Sequence, residues 1–374
     1  FLTPTFRMAL RNIERRPWQA FFTAFGLALA TGIPVVPCTM REGIDYLLNF
    51  QWDVAQRQNL TIALFEPASS SAVSDLQHLP GVMQVETFRT VPARIRFGNQ
   101  SRKLAVTGLA RDARLNRVLD ARERPIPLPP DGLLVSAKLA EILGAQPGDV
   151  VTLEIQEGSR PQRESVIRGL ITDYAGVFAY MDKESLHRLM REGPTVSGAY
   201  VSLDANHWLA FLEAVKNTPR IAAMMIKTAV RDSFRKTTAE TINMVQYLYF
   251  IFSIIVAFGV VYNSARIALS ERSRDLATLR VIGFSHREVA GVLVTELMML
   301  TAVAIPVGLV LGSGLAAGIV ITASTESVRL PLRLTPESFA TAVIIVLSAA
   351  TISFTLVSRR IRELDLIGVL KARD

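Results

Sequence analysis

Four long stretches of the chain carry no charged side chain: residues 17–40, 241–265, 297–325 and 338–358, which are 24, 25, 29 and 21 residues long. About 20 apolar residues suffice to cross a bilayer as a helix. The pattern therefore predicts four transmembrane helices, over 18–40, 242–264, 289–321 and 338–358. The first is not a secretory signal: its apolar run is too long, and Pro34-Val35-Val36-Pro37-Cys38 lacks a small-x-small cleavage pattern. Tyr247, Tyr249 and Tyr262 near the ends of the second suit the two headgroup regions. Taken from Val289 to Ala323 as one helix, the third stretch would reach roughly 52 Å, beyond the ~30 Å hydrocarbon core. It must tilt, break at Pro306 or project from the membrane.

Between the first two spans, residues 41–241 change character. Asn59–Phe65, Arg94–Phe97, Leu104–Leu109, Leu133–Ser136, Val150–Ile155, Val166–Ile171, Ala199–Leu203 and Ile221–Thr228 read as strands. Ser71–Leu79, Ala137–Leu143, Lys183–Arg191 and Trp208–Lys216 read as helices, with Pro80-Gly81, Gly144 and Gln146-Pro147-Gly148-Asp149 as breaks and turns. This is an α+β domain, with the Arg/Pro-rich stretch 122–130 as a candidate seam between two lobes. The fold class is thus a multi-pass α-helical membrane protein with a large α+β domain between helices 1 and 2.

Charge sets the orientation. Segments 1–17, 265–288 and 359–374 hold fourteen Lys and Arg against seven Asp and Glu, whereas the short loop 322–337 has two of each sign. By the positive-inside rule the first three face the cytoplasm and both termini lie inside. The 41–241 domain and the 322–337 loop are then outside, and for a bacterial inner membrane that means periplasmic. These flanks account for most of the net charge of +8, so nucleic acid is not needed as a partner. Half of the 374 residues are apolar and only 20% are charged, below the ~25% usual in soluble domains. An ordinary soluble enzyme and a disordered chain are both excluded. The single cysteine, Cys38, forms no intrachain disulfide; it reads as a small residue packed at a helix end rather than a lipid-modified or reactive thiol.

Residues 1–17 predict an amphipathic helix at the inner membrane surface. Phe6, Ala9, Leu10 and Ile13 lie on one face and Arg7, Arg11 and Arg15 on another. Residues 265–288 read as helix, glycine stop, new helix. Gly283 can end the first in the left-handed conformation, and Ser285 with Glu288 has capping-box spacing. The reading is a well-terminated knob on the cytoplasmic face rather than a solvated loop helix.

Glu271-Arg272-Ser273-Arg274-Asp275-Leu276, then Leu279-Arg280-Val281-Ile282-Gly283, then Arg287-Glu288-Val289 resembles the coupling-helix motif of FtsX-like, MacB-type ABC transporter permeases. The layout of one span, a large outside domain and three further spans is also similar. Leu79-Pro80-Gly81-Val82 and the turn at 143–150 resemble family turns. The tail fits at Arg359-Arg360-Ile361-Arg362 and Val369-Leu370-Lys371, with Leu366 where proline is usual. The resemblance implies a mechanotransmission-type permease. A cytosolic ABC ATPase dimer binds ATP and Mg and grips the coupling helix, and motion passes to the periplasmic domain. It places the ATPase contact on Arg272, Asp275, Leu276, Leu279, Arg280 and Gly283. The implied cargo is lipophilic or periplasmic, such as a lipoprotein, lipid or peptide. The alternative is a non-transporting FtsX-like signalling module that activates a periplasmic hydrolase, itself a periplasmic partner.

The chain carries no Gly-x-x-x-x-Gly-Lys-Ser/Thr loop, no His-Glu-x-x-His and no Gly-x-Ser-x-Gly, and its four histidines are scattered. No catalytic residue, metal site or cofactor is assigned to this chain. Glu296, the one charged residue inside a proposed span, reads as reaching the interface or a neighbouring arginine rather than marking a proton path. Gly308 with Gly312, and Gly314 with Gly318, form small-residue pairs. They read equally as a packing or dimer face and as the glycine enrichment common in spans. Four spans are half of what an ATPase dimer needs, so a second permease half is expected: a second copy, a related subunit or the other half of a longer chain. Phe1 in place of Met is read as the start of a fragment.

Overall fold

The computed structural model describes residues 4–69, 76–120, 122–174, 176–216, 220–271, 278, 285–323 and 329–363. It divides into two units: Phe1–Gly43, Ala239–Thr322 and Leu332–Asp374 make one, and Ile44–Thr238 with Ala323–Pro331 the other.

The first unit is a helix bundle. Helix α1 is Pro4–Arg15 and α2 is Pro17–Gly32; α3 (Val35–Asn49) begins in this unit, while its end and the π-helical turn at Phe50–Ala55 belong to the second. The sequence predicts one span over 18–40; the structure has one membrane-type helical stretch over Pro17–Ala55, with a local interruption at Ile33-Pro34. Pro34 has no N–H to give the carbonyl of Ala30. The Ser253 hydroxyl donates to that carbonyl at 2.8 Å in its place.

Helix α7 runs unbroken from Lys227 to Glu271, 45 residues and about 67 Å at ~1.5 Å each. The expected span began at 242 because charged residues precede it. The helix does not stop there, because no proline interrupts Lys227–Glu271. Nor does a new helix start at 265. Ala265 and Ala268 are buried helix formers that carry α7 onward. Helix α8 (His286–Ala323) continues through Pro306, and α9 is Pro336–Glu363. Thr335 caps α9 by accepting from the Ser338 N–H at 3.4 Å.

Four helical stretches of the described residues are long and apolar enough to cross a membrane: Pro17–Ala55, Lys227–Glu271, Gly291–Thr322 and Pro336–Leu356. Their size pattern is inverted relative to a soluble core. Ala28, Ala30, Ala257, Ala265, Ala304, Ala349 and Ala350 are buried, while Phe21, Phe22, Ile251, Phe252, Ile255 and Val310 are exposed. Small residues inside let helices approach closely, and large apolar residues outside suit lipid.

The second unit is built on nine strands in the order β3-β7-β4-β6-β5-β2-β8-β1-β9, with an additional β2–β3 pairing. The strands are β1 Leu60–Ser69, β2 Val82–Phe97, β3 Gln100–Leu109, β4 Leu133–Ser136, β5 Val150–Ile155, β6 Gln162–Ile171, β7 Ala179–Asp182, β8 Thr195–Leu203 and β9 Ile221–Ile226. Among the described residues three α-helices accompany it, α4 Ala137–Leu143, α5 Lys183–Met190 and α6 Trp208–Lys216, and most of the helix expected over Ser71–Leu79 lies outside the described residues.

The extra pairing closes β2, β3, β7, β4, β6 and β5 into a ring around Val91, Ile95, Val106, Val135, Leu153 and Ile167. Strands β2, β8, β1 and β9 form an open sheet with its own core of Leu60, Ile62, Val201 and Phe211. Strand β2 serves both. Phe88 is its last residue paired with β8, and Arg89 its first paired with β3. The stretch 122–130, read as a seam, lies instead between β3 and β4 of the same ring. The passage between the halves is β2.

Candidate functional site

All six residues that the resemblance assigns to the ATPase contact, Arg272, Asp275, Leu276, Leu279, Arg280 and Gly283, lie outside the described residues. The structure describes what flanks them. Helix α7 delivers Glu271 to an ion pair with Arg16, the residue that joins α1 to α2. Both side chains are about 40% exposed (41% and 43%), so the pair orients more than it stabilises.

One turn and more back along these helices, Thr23 donates to the Gln19 carbonyl at 2.9 Å and meets the Ser264 hydroxyl at 2.8 Å. Ser264 is therefore the donor in that second bond. On α8, the buried Glu296 accepts from the Asn12 side chain at 3.4 Å and lines one small polar cleft with Arg16. Elements α1, α2, α7 and α8 are thus joined by polar contacts near the end of α7 at Glu271.

The restart after that segment is a capping box. Glu288 accepts from the Ser285 N–H at 2.7 Å and its hydroxyl at 2.8 Å, and the Ser285 oxygen accepts from the Glu288 N–H at 3.3 Å. The Ser285 backbone N–H, then its hydroxyl, holds the Glu288 pKa below the ordinary carboxylate value. A lowered carboxylate pKa next to a helix start keeps negative charge at the positive end of the α8 dipole.

The four glycines divide. A Cβ on Gly308 would strike the Ala28 carbonyl oxygen and approach the Thr31 Cβ to 2.6 Å. On Gly312 it would lie 2.7 Å from Gly32 Cα and 3.0 Å from Val35 Cβ. Gly32 reciprocates, 3.2 Å from Gly312 Cα. Helices α2 and α8 therefore cross backbone to backbone at Gly32, Gly308 and Gly312. Gly314 and Gly318 have nothing within 4 Å.

Sequence reasoning missed a second polar cluster in the same unit. Glu42 accepts from the hydroxyls of Thr335 and Ser338, the latter at 2.5 Å, which ties α3 to the start of α9. The buried Cys38 accepts from Gln246 at 3.7 Å. Among the described residues, no three His, Cys, Asp or Glu side chains converge as a metal site would require.

In the second unit, the residue that sequence reasoning missed is Arg89. Its side chain is 2% exposed. It makes two hydrogen bonds to Glu192, at 2.9 and 3.1 Å, and two to Glu157, at 2.8 and 3.2 Å. It also donates to the Ser197 hydroxyl and the Thr90 carbonyl, each at 3.1 Å. The arginine fills the gap that opens where β2 leaves one half of the sheet for the other. An Arg in a segment of mixed polar and apolar residues looks like any solvent-facing position, so its burial left no signal.

Residues 247–366 match the model of the FtsX-like permease C-terminal family. Uncharacterized ABC transporter permeases of Mycobacterium tuberculosis and Mycobacterium bovis are each 25% identical over 258 residues, or 67% of this chain. The chain spans 66% of the length of these curated relatives. Among solved structures, it is similar to the extracellular domain of the noncanonic ABC-type transporter YknZ from Gram-positive bacteria. That match has a TM-score of 0.31 and 16% identity, over 45% of this chain and 98% of that one. The periplasmic region of MacB from Actinobacillus actinomycetemcomitans gives 0.33 and 12%, over 50% and 98%. With its family match over the last three membrane-type helices and its ABC transporter permease relatives, the chain is similar to the FtsX-like permeases of ABC transporters.

Proposed function

We propose that this chain is the permease subunit of an ABC transporter. In this reading it couples ATP hydrolysis by a separate cytosolic ATPase dimer to a change in its outer domain, and so moves or extracts a lipophilic or periplasmic cargo. The observation that carries the reading is the FtsX-like permease match over 247–366, which begins inside α7 and takes in the whole of α8 and α9. ATP and Mg belong to the partner in this reading, in keeping with the lack of a phosphate-binding loop in the sequence. A second permease half completes the transporter.

Orientation follows from charge: both termini and the 265–288 segment face the cytoplasm of a bacterial inner membrane. The coupling contact is Arg272, Asp275, Leu276, Leu279, Arg280 and Gly283. Helix α7 is in keeping with a mechanical role, since it runs 45 residues without a break. A helix of that length resists bending far better than a loop, so a displacement at Glu271 is carried along its axis.

The test is co-purification. Arg280→Glu in the full chain should abolish recovery of the ATPase while membrane insertion stays intact. Undiminished recovery would count against the coupling assignment.

A further inference from the structure

The stretch 122–130, with its prolines and arginines, has a use that the permease reading leaves open. Together with the loop after β3 it walls a cavity of about 460 Å³, within the ~300–1,000 Å³ usual for small-molecule sites. The floor is apolar. Leu109, Val118 and Leu128 are buried and Ile126 partly so, all continuous with a core that includes Phe88 and Tyr200. The rim carries Arg111, Arg114 and Arg117 with one acidic residue, Asp112.

The walls are fixed by hydrogen bonds rather than left as loose loop. Glu86 accepts from the backbone N–H groups of Arg114 and Leu115 at 2.9 Å each. The Arg57 N–H reaches the Leu115 carbonyl at 2.6 Å, and the Arg117 N–H reaches Ala55 at 2.9 Å. Across the cavity, the Ile126 N–H binds the Val118 carbonyl at 2.9 Å. Asp120 holds the intervening turn by accepting from the N–H groups of Arg122 and Arg124 at 2.8 Å each.

The rim is short of negative charge. Arg111 has a loose pair with Asp182 at 3.4 Å, while among the described residues neither Arg114 nor Arg117 forms an ion pair. Asp112 is the one acidic residue among those that line the cavity, against three arginines, and Glu86 is already committed to backbone N–H groups. Burial, and after it the neighbouring Arg57, pulls the Arg117 pKa below its ordinary value, with Glu86 opposing. A cation held in such a place gains from an arriving anion.

We propose that this cavity binds a single acyl chain bearing a phosphate headgroup, the chain on the apolar floor and the phosphate on Arg111, Arg114 and Arg117. Three guanidinium forks suit the three free oxygens of a phosphate, and charge-assisted bonds of this kind are among the strongest available. Binding needs no nucleotide. It stands or falls separately from the ATPase contact, and failure of either leaves the other reading intact.

The experiment is photolabelling of the full chain in neutral-lipid nanodiscs, with a dodecyl phosphate carrying a diazirine on its chain and with peptide mapping. Labelling should concentrate on peptides within 109–128 and be displaced by excess dodecyl phosphate. The Arg114→Gln/Arg117→Gln variant should lose roughly ten-fold or more of it, the factor given by ~1.4 kcal/mol. Ala113→Phe, which fills the cavity and keeps every charge, should lose it as well; both variants should melt like the parent chain. Equal labelling by a neutral-headgroup or carboxylate probe, displacement by inorganic phosphate as strong as by dodecyl phosphate, or labelling indifferent to the arginine variant would overturn the assignment.

Discussion

The bundle and the outer domain solve the burial problem in opposite ways. In the outer domain, large side chains such as Leu60, Ile95, Leu139 and Phe211 are fully buried, and the exception among the largest buried groups is Arg89. In the bundle, alanines such as Ala28, Ala257 and Ala304 are buried, while Phe21, Phe22, Phe25 and Phe252 point away. Withdrawal of apolar surface from water, at ~25 cal/mol per Å², stabilises the first. It cannot drive association in lipid, where close backbone contact and hydrogen bonds take over. The same substitution should therefore act differently in the two units, and the largest differences are measurable.

Arg89→Ala should be the most damaging single change. It leaves Glu157 and Glu192 facing each other without a cation, and breaking such a buried network costs about 3–5 kcal/mol. The carboxylates are 30% and 20% exposed, which places the expectation near the lower end, about 3 kcal/mol. Calorimetry of the full chain in detergent reads this as a lowered melting transition. Arg89→Met combined with Glu157→Gln and Glu192→Gln should recover much of the loss. A loss under ~1 kcal/mol for Arg89→Ala would mean that the outer domain does not depend on its one buried charge cluster.

Gly308→Leu comes next. Its side chain would have to displace the α2 backbone at Ala28, and overpacking of this kind costs roughly 1–3 kcal/mol. Gly312→Leu should behave alike, whereas Gly314→Leu and Gly318→Leu should stay within about ±0.5 kcal/mol in the single chain. Uniform effects across all four would erase the distinction between a packed and an open half of the glycine stripe.

Those four glycines also mark the limit of what could be read in advance. Spacing put all of them on one helix, yet which pair meets α2 depends on rotation about the α8 axis, and charge-free runs carry no phase. The four hydrophobic helices were legible because bilayer thickness imposes a length on them. Strands β4 and β5 and helices α4 and α6 were legible to the residue, since each is bounded by a cap or turn such as Ser136, Gly144 or Gly148. The first half of β2 and all of β7 were not. The segment Gln84–Pro92 mixes polar and apolar residues without alternation, and Ala179–Asp182 is too short to show a period. The cavity walled by 109–128 was invisible because it comes from chain segments with no regular pattern, joined by backbone bonds.

Two carboxyl groups of the strand-built unit give a pH test. Burial alone would raise the Glu192 pKa, but hydrogen bonds from Arg89 outweigh it and hold the value below 4.5. Its stabilising contribution is complete above 4.5 and is lost as pH falls through the lowered folded value. Asp173 runs the other way: burial raises it from 3.8 to about 7. The folded state then holds a proton that the unfolded state releases, so stability falls as pH rises from 3.8 to about 7. Asp173→Asn should melt higher than the parent at pH 8 and equal to it near pH 4, while Glu192→Gln should melt lower at pH 8, with the gap closing in acid. Parallel responses would show that Asp173 is not held in its neutral form.

The smallest expected effect is the most specific to the bundle. Ser253 donates to the carbonyl that Pro34 leaves without a backbone partner. Hydrogen bonds between membrane helices are worth about 0.6 kcal/mol on average, so Ser253→Ala should cost that much to about 1 kcal/mol. A loss of that size could also come from packing, and the proline separates the two causes. Pro34→Ala restores an N–H at position 34 that can reach the Ala30 carbonyl along the helix. In that background Ser253→Ala should cost close to nothing, and the double-mutant cycle should show coupling about as large as the single loss. If the two losses simply add, the hydroxyl is not standing in for the missing backbone bond, and the break at Ile33-Pro34 is held by packing alone.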